Sequence, residues 1–424
     1  MRKIACASAA ILVASLLLPT SASAASPTSG ATCTKAGLVS STATKKFTCV
    51  KSGKKLVWDK GVALAKPKAS STGLSIPITL PVAQNGSITF ANAAANFSNI
   101  PQTAWQRTQD VIAANPEVTF PTVIHIGPNT KASMNAINTA LNRINKLFAG
   151  FRHVSKYSGI VYNAQDLNWA VSDASALFSA SGSKSAGARK EYIKQLAEAG
   201  CEINGATVVN CGGGMAMDFS DGGDDAGGAY YGVQSDGDYW SDSTKNVGPM
   251  TQVNHEAMHN YQTTQFFYTP RGMGQHVSSD LMHAATPWWF SEGQANAIGL
   301  ATFFESQSEY LRNRNDIVTR SPGSRATIPS ATAQSMNEFL TSNQSASPEN
   351  KNWMLAYSIG FATVEALIAI GGPQSTLALY TLGAKGEDWP TAFKHVYGIS
   401  WDEGSTVLSK VLAAEYAAKP MSTR

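Results

Sequence analysis

The residues best placed to do chemistry are His255-Glu256-Ala257-Met258-His259. Positions i and i+4 share one face of an α-helix, so both imidazoles can reach a single metal ion. The run from Thr251 to Phe267 has neither proline nor glycine and is expected to be helical. Glu256 then sits beside the coordination position the histidines leave open. In this HExxH arrangement zinc lowers the pKa of its water and the glutamate acts as general base. The bland alternative is a helix carrying unrelated polar residues, an uncommon coincidence with only seven histidines in 424 residues.

A catalytic zinc site takes three protein ligands and keeps the fourth place for water. The metzincin pattern would set glycine and histidine soon after the second histidine, where this chain has Gln262 and Gln265. His276, Asp280 and His283 follow, but no helix fixes them. The better candidate is Glu292, in Pro287-Trp288-Trp289-Phe290-Ser291-Glu292-Gly293-Gln294-Ala295-Asn296. Thr286 is placed to cap this helix and Pro287 suits its first turn. The helix is expected to run to about Phe304 and to pack its apolar face on the metal helix.

With both motifs in view, roughly residues 210–410 resemble the gluzincins, the thermolysin-like zinc peptidases. The resemblance implies an α+β fold with a small mixed sheet, an active-site helix and a helical C-terminal half. It implies His255, His259 and Glu292 as zinc ligands, Glu256 as the base, and a peptide or protein as substrate. The aromatic-x-Glu-Gly-x-Ala phrase around Glu292 is common in that family. Asn296 stands where members often place an acid that orients a zinc histidine; asparagine accepts the same N–H bond without charge. The gap between His259 and Glu292 spans 32 residues, longer than in the best-known members, so a loop holding Tyr268-Thr269-Pro270-Arg271-Gly272 must bulge out. Several members donate a hydrogen bond to the oxyanion from a C-terminal Tyr or His, which makes Tyr357 the candidate here. The alternative for Tyr357 is a buried ring filling the core. The family's substrate-binding edge strand precedes the metal helix, and Gly228-Ala229-Tyr230-Tyr231-Gly232-Val233 is its candidate counterpart.

Other elements must position these residues. Ile76-Pro77-Ile78-Thr79-Leu80 and Val118 to Ile126 read as strands. Ala132 to Phe151 carries Met134, Ile137, Leu141, Ile144 and Leu147 at helical spacing. A helix is expected near Arg189–Ala199, and another from Ser347-Pro348 to about Ile370, closed by Gly371-Gly372. The last should start at Ser400, with Glu403 completing a capping box, and run to about Ala418. Trp288–Trp289 and Tyr230–Tyr231 either line a cleft or, by default, pack in the core. The Asp-rich stretch 212–242 could hold calcium as Ca2+ through hard carboxylate oxygens, although its spacing is not that of an EF-hand; a solvated loop is the plainer reading.

The first 24 residues have the form of a signal peptide: Arg2 and Lys3, an apolar run from Ile4 to Leu18, Pro19, and Ala22-Ser23-Ala24. A secreted, extracellular or cell-surface protein is therefore expected. No later run reaches 18 uninterrupted apolar residues, so no transmembrane segment is expected after cleavage. Among the remaining cysteines, spacing favours the disulfides Cys33–Cys49 and Cys201–Cys211, as export permits. Residues 25–61 form a basic Cys-containing β-module, 62–80 a linker, and 81–424 the zinc peptidase-like domain, with its N-terminal α+β part at 81–209 and its catalytic part at 210–424.

Residues 1–70 carry eleven Lys/Arg against Asp59 alone, a charge of +10, which leaves −6 for the rest of a chain whose net charge is +4. A nucleic-acid partner is not expected, because the basic excess lies outside the main domain. The basic module suits an anionic cell-wall or surface polymer, or is simply a solvated tail. A hydrophobic fraction of 43% excludes a bulk disordered chain. The composite reading is an exported zinc metallopeptidase. The alternatives are a non-catalytic surface or wall-binding protein on a peptidase scaffold, and a zinc amidase acting on cell-wall peptides.

Overall fold

Phe47 and Cys49 alternate along one short strand and bury their side chains in a small sheet. The structure is a computed structural model. It describes residues 28–37, 39–41, 45–63, 74–119, 121–179, 194–195, 197–198, 201–205, 207–211, 213–221, 224–232, 248–267, 282, 285–320, 327–342 and 352–421. The expected signal peptide lies outside these residues, as do His276, Asp280, His283, the 268–272 loop, Ser347-Pro348, and Asp236, Asp238 and Asp242. Two compact units are present, Met1–Lys68 and Ala69–Arg424.

The first unit contains β1 (Val39–Ser41), β2 (Lys45–Ser52), β3 (Lys55–Trp58) and β4 (Val62–Ala63). β2 is central and antiparallel to the other three. So small a sheet has little core, and the Cys33–Cys49 disulfide closes it. Asp59 accepts hydrogen bonds from the Thr48 and Gly61 main-chain N–H groups at 3.0 and 2.9 Å. Val62 and Ala63, assigned to the linker by composition, pair with β2.

The second unit is mixed α+β. It runs α1 (Ile100–Ala114), β5 (Thr122–Ile126), α2 (Met134–Leu147), β6 (Lys156–Tyr162) and α3 (Leu167–Ser179). Then come β7 (Cys201–Asn204), β8 (Thr207–Cys211), β9 (Gly213–Asp221) and β10 (Asp224–Gly232). Helices follow: α4 (Gly248–Phe266), α5 (Trp288–Phe303), α6 (Gln307–Val318), α7 (Ala333–Ser342), α8 (Ile359–Gly371), α9 (Pro373–Ala384), α10 (Trp389–Tyr397) and α11 (Trp401–Ala418).

The sheet order is β5-β6-β10-β9. β5, β6 and β10 are parallel, and β9 turns back antiparallel at the edge. Of the candidate substrate strand, Gly228–Gly232 therefore falls on an interior strand, with Val233 outside the described residues, and the edge that adjoins the metal helix is β9. Asp218, Asp221, Asp224 and Asp225 are strand positions of β9 and β10 rather than loop positions. The β7–β8 hairpin places Cys201 opposite Cys211, where the second disulfide forms.

Ile76 to Leu80 forms no strand. Pro77 and Pro81 lack the N–H groups a ladder needs. The segment lies instead against the core through Leu74, Ile76, Ile78, Leu80 and Val82. The second strand begins at Thr122 rather than Val118, and the next helix spans Met134–Leu147, capped by Ser133.

The helical half is layered rather than amphipathic. α5, α8 and α9 are buried on nearly every face, as interior helices must be. α5 and α8 cross at Gly293 and Gly360. A Cβ at Gly293 would lie 2.3 Å from the Gly360 carbonyl carbon, and one at Gly360 would lie 2.2 Å from the Trp289 oxygen, so the main chains touch there and only glycine fits. Arg314 of α6 is 2% exposed and holds α6, α8 and α11 together. Its Nε and Nη2 donate to Glu365 Oε2 at 2.9 and 2.6 Å, and its Nη1 pairs with Glu415.

α8 begins at Ile359, later than the sequence suggests. A 3-10 turn, Trp353–Tyr357, precedes it, so Tyr357 stands on that turn rather than within the helix. Thr286 does not cap α5: its hydroxyl donates to the Met282 carbonyl at 2.9 Å, and Pro287 occupies the cap position. The capping box at Ser400 and Glu403 is formed as expected. Trp289 and Tyr231 are fully buried, which settles those two rings as core.

Candidate metal centre

α4 starts at Gly248-Pro249 and meets no further helix breaker before Phe266. It is buried along most of its length, so its polar side chains need partners inside the protein. Asn254 Nδ2 donates to Thr302 Oγ1 at 2.8 Å, Tyr261 Oη to Asn145 Oδ1 at 3.0 Å, and Gln265 Nε2 to the Arg152 carbonyl at 2.8 Å. The helix is thereby fixed in rotation, with His255 and His259 on one side.

The two imidazoles stand nearly perpendicular, with their Nε2 atoms 3.1 Å apart. Glu292 Oε2, from α5, lies 3.4 Å from His255 Nε2 and 3.5 Å from His259 Nε2. It is buried and makes no hydrogen bond of ordinary geometry. Three ligand-type atoms thus form a nearly equilateral triangle. In a tetrahedral zinc site with bonds of about 2.0–2.1 Å, neighbouring ligand atoms are about 3.3–3.4 Å apart. The triangle has that size, and its buried, unsatisfied oxygen is what a metal ion would satisfy. His255, Glu256 and His259 also form a group whose ligand atoms all lie within 4.8 Å of one another, and this group could hold a metal ion. Glu256 Oε1 is 4.0 Å from His255 Nε2, so Glu292 is the carboxylate nearer the imidazoles.

Each imidazole is oriented from behind. His255 Nδ1 meets Asn296 Oδ1 at 2.9 Å, and Asn296 Nδ2 donates to the Tyr357 carbonyl at 3.0 Å. His259 Nδ1 meets Gln262 Oε1 at 2.8 Å, and Gln262 Nε2 donates to the Ser291 carbonyl at 3.0 Å. A carbonyl can only accept, so each amide must turn its NH2 to the main chain and its oxygen to the imidazole. Both histidines therefore carry hydrogen on Nδ1, which leaves both Nε2 atoms to face the centre.

Glu256 lies under the edge strand. The main-chain N–H of Ala216 on β9 donates to its carboxylate, and Gly214 leaves the space it fills. A Cβ at Gly214 would be 2.4 Å from Glu256 Oε1. Burial raises the Glu256 carboxyl, with the two imidazoles opposing and Glu292 reinforcing the shift. Burial would likewise raise Glu292, but His259 and His255 more than offset it and hold that carboxyl well below the usual range. For His259, burial disfavours the charged ring, while Glu292, Glu256 and Gln262 outweigh it and raise the group to about 10. The Tyr357 ring stacks on His255 at a centroid distance of 6.2 Å. Its hydroxyl bonds Glu292, and burial followed by the nearby carboxylates pushes the phenol far above its ordinary value.

The structure thus brings together every site residue expected from sequence: His255, Glu256, His259, Glu292 and Tyr357. Asn296 takes the orienting position its spacing suggests. Gln262 and Gly214 join the site without having been singled out by sequence. Gln262 is legible as the i+3 neighbour of His259 on one helix; Gly214 depends on a strand packing that spacing does not reveal. No protein-family model, curated protein or solved structure matches the chain.

Proposed function

We propose that the chain is a secreted zinc-dependent metallopeptidase of the gluzincin type. His255, His259 and Glu292 would hold the ion, and a peptide or protein would be the substrate. The observation that carries this reading is the triangle of two Nε2 atoms and the orphaned Glu292 oxygen, with a buried glutamate beside it. The two disulfides are compatible with an extracellular protein.

Zinc, when bound, supplies Lewis acidity toward a carbonyl oxygen and acidifies a water at its open position. Glu256 supplies the proton acceptor. Its raised pKa suits a carboxylate that must take a proton from water and pass it to the leaving amine. The Ala216 N–H keeps that carboxylate from swinging away. Tyr357 keeps its proton at any physiological pH and can only donate to an oxyanion. β9 offers the extended edge along which a peptide backbone would align beside Glu256.

The test is paired. Zinc per chain and cleavage of a quenched mixed-peptide library are measured for residues 25–424 and for Glu256→Gln. One zinc in both, with cleavage only by the wild type, is expected. No zinc in either overturns the site. Zinc without cleavage in either overturns the peptidase reading and favours a binding protein or a wall-peptide amidase.

A further inference from the structure

The first unit has a chemistry the metal centre does not use. Between Lys35 and Lys68 it carries nine lysines and no arginine, against one acid, Asp59. That acid is spent on the fold, since its Oδ1 accepts from the Thr48 and Gly61 main chain. Lys35, Lys51, Lys54, Lys55 and Lys60 are all exposed. Among the described residues none of these five makes an ion pair. Lys51, Lys54 and Lys55 gather at the β2–β3 hairpin, where Lys51 pairs with Leu56 and Ser52 with Lys55 in the ladder. Such a concentration of unneutralised charge on a unit of minimal core repels itself, and a polyanion relieves that repulsion.

The residue types narrow the partner. Lysine is a compact charge on a flexible stem, suited to a diffuse chain of anions rather than one bidentate site. Single-stranded nucleic acid is bound by stacking bases on exposed aromatic rings. Here Phe47 is buried and Trp58 half-buried. A membrane surface asks for large apolar side chains that enter the interface. Among the described residues of this unit the exposed large apolar side chain is Val50, at 39%.

We propose that the β2–β3 hairpin of the basic unit, with Lys51 and Lys55 on its two faces and Lys54 in its turn, docks the protein on a linear polyanionic glycopolymer, one carrying phosphodiester or carboxylate groups along its chain. The acidic remainder of the protein is repelled by the same polymer, so docking belongs to this unit. The inference does not depend on the peptidase reading.

The test uses the full chain from residue 25, a phosphodiester-bearing wall polymer, a uronate polymer, a neutral polysaccharide, and vesicles with and without anionic lipid. Binding to both anionic polymers is expected, with affinity falling about 10²-fold between 50 and 200 mM salt for roughly five lysine contacts. Lys51→Glu, Lys54→Glu and Lys55→Glu combined should abolish it, and the three Lys→Gln changes should weaken it with a shallower salt slope. The Cys33–Cys49 bond, checked by mass, and an unchanged circular dichroism spectrum report that the variants fold. Equal binding to the neutral polysaccharide, or undiminished binding by the Lys→Glu variant, overturns the proposal. Tighter binding to anionic vesicles than to either polymer also overturns it, in favour of a membrane partner.

Discussion

Gly214 offers the sharpest test of the part assigned to Glu256. A methyl group there would lie 2.4 Å from Glu256 Oε1, 2.7 Å from Cγ and 2.8 Å from Cδ. Comfortable contact begins at about 3.5 Å, so the carboxylate of a Gly214→Ala variant must retreat by roughly 1 Å. Glu256 is only 4% exposed and is tied to β9, so it cannot relax into solvent. Misplacing a reacting group by about 1 Å costs about 10²-fold in rate, equivalent to about 2.7 kcal/mol of barrier. The three atoms nearest the added methyl all belong to Glu256, the proposed base rather than a proposed ligand, so metal content should remain at one per chain. The assay is kcat/KM on a quenched peptide together with elemental analysis. A double-mutant cycle with Glu256→Asp adds a geometric control, because a shorter acid makes room for the methyl. Glu256→Asp should therefore cost less in the Gly214→Ala background than in the wild type. Full activity in Gly214→Ala, or loss of zinc in step with activity, would refute the reasoning.

Three further outcomes are expected. Arg314→Met leaves Glu365 and Glu415 buried without their cation and should lower stability by about 3–5 kcal/mol; an unchanged denaturation midpoint would contradict the burial argument. Asn296→Leu and Gln262→Leu each remove the acceptor behind one histidine. Each should weaken zinc binding by about 10–100-fold in a chelator competition while the circular dichroism spectrum holds, and unchanged affinity in both would show that the amides do not orient the ligands. Finally, His259, raised to about 10, carries a proton at neutral pH in the metal-free protein. Metal uptake must expel it, so apparent affinity should rise with pH, by up to about tenfold per unit between pH 6 and 8. Calorimetry in two buffers of different ionisation enthalpy reads that proton directly, and no release at pH 7 would contradict it.

What is legible in the sequence follows how local the determining physics is. The His255–His259 face, the Ser133 and Ser400 caps and the two disulfides depend on residues within about sixteen positions of one another. Glu292 is reachable because its phrase has a recognisable form. The sheet order is not, because pairing of β10 with β6 joins Tyr231 to Val161 across a long stretch of chain. That is why sequence alone points to the wrong strand of the β9–β10 pair for the edge. Ile76 to Leu80 misleads because alternating apolar residues suit any chain lying against a core, and only the prolines distinguish that from a ladder. Asn296 and Gln262 illustrate a third case: their side-chain types can be read in advance, but not the carbonyls that decide which way each amide points.

The Arg314–Glu365 pair bears on something other than the folded state. Met354–Gly371, comprising α8 and most of the turn before it, is the one stretch among the described residues long and apolar enough to cross a membrane, and it is mostly buried in the fold. An ion pair in such a place stabilises little compared with well-packed apolar side chains. For a chain exported as its sequence suggests, however, passage across a bilayer would come before that core exists. Glu365 then lies near the middle of this apolar segment, where an ionisable residue makes insertion less favourable by about 2.5–3.5 kcal/mol. For a chain read as exported, that one carboxylate favours passage over arrest in the membrane. Arg314 is then the partner that lets the same carboxylate be buried on the far side.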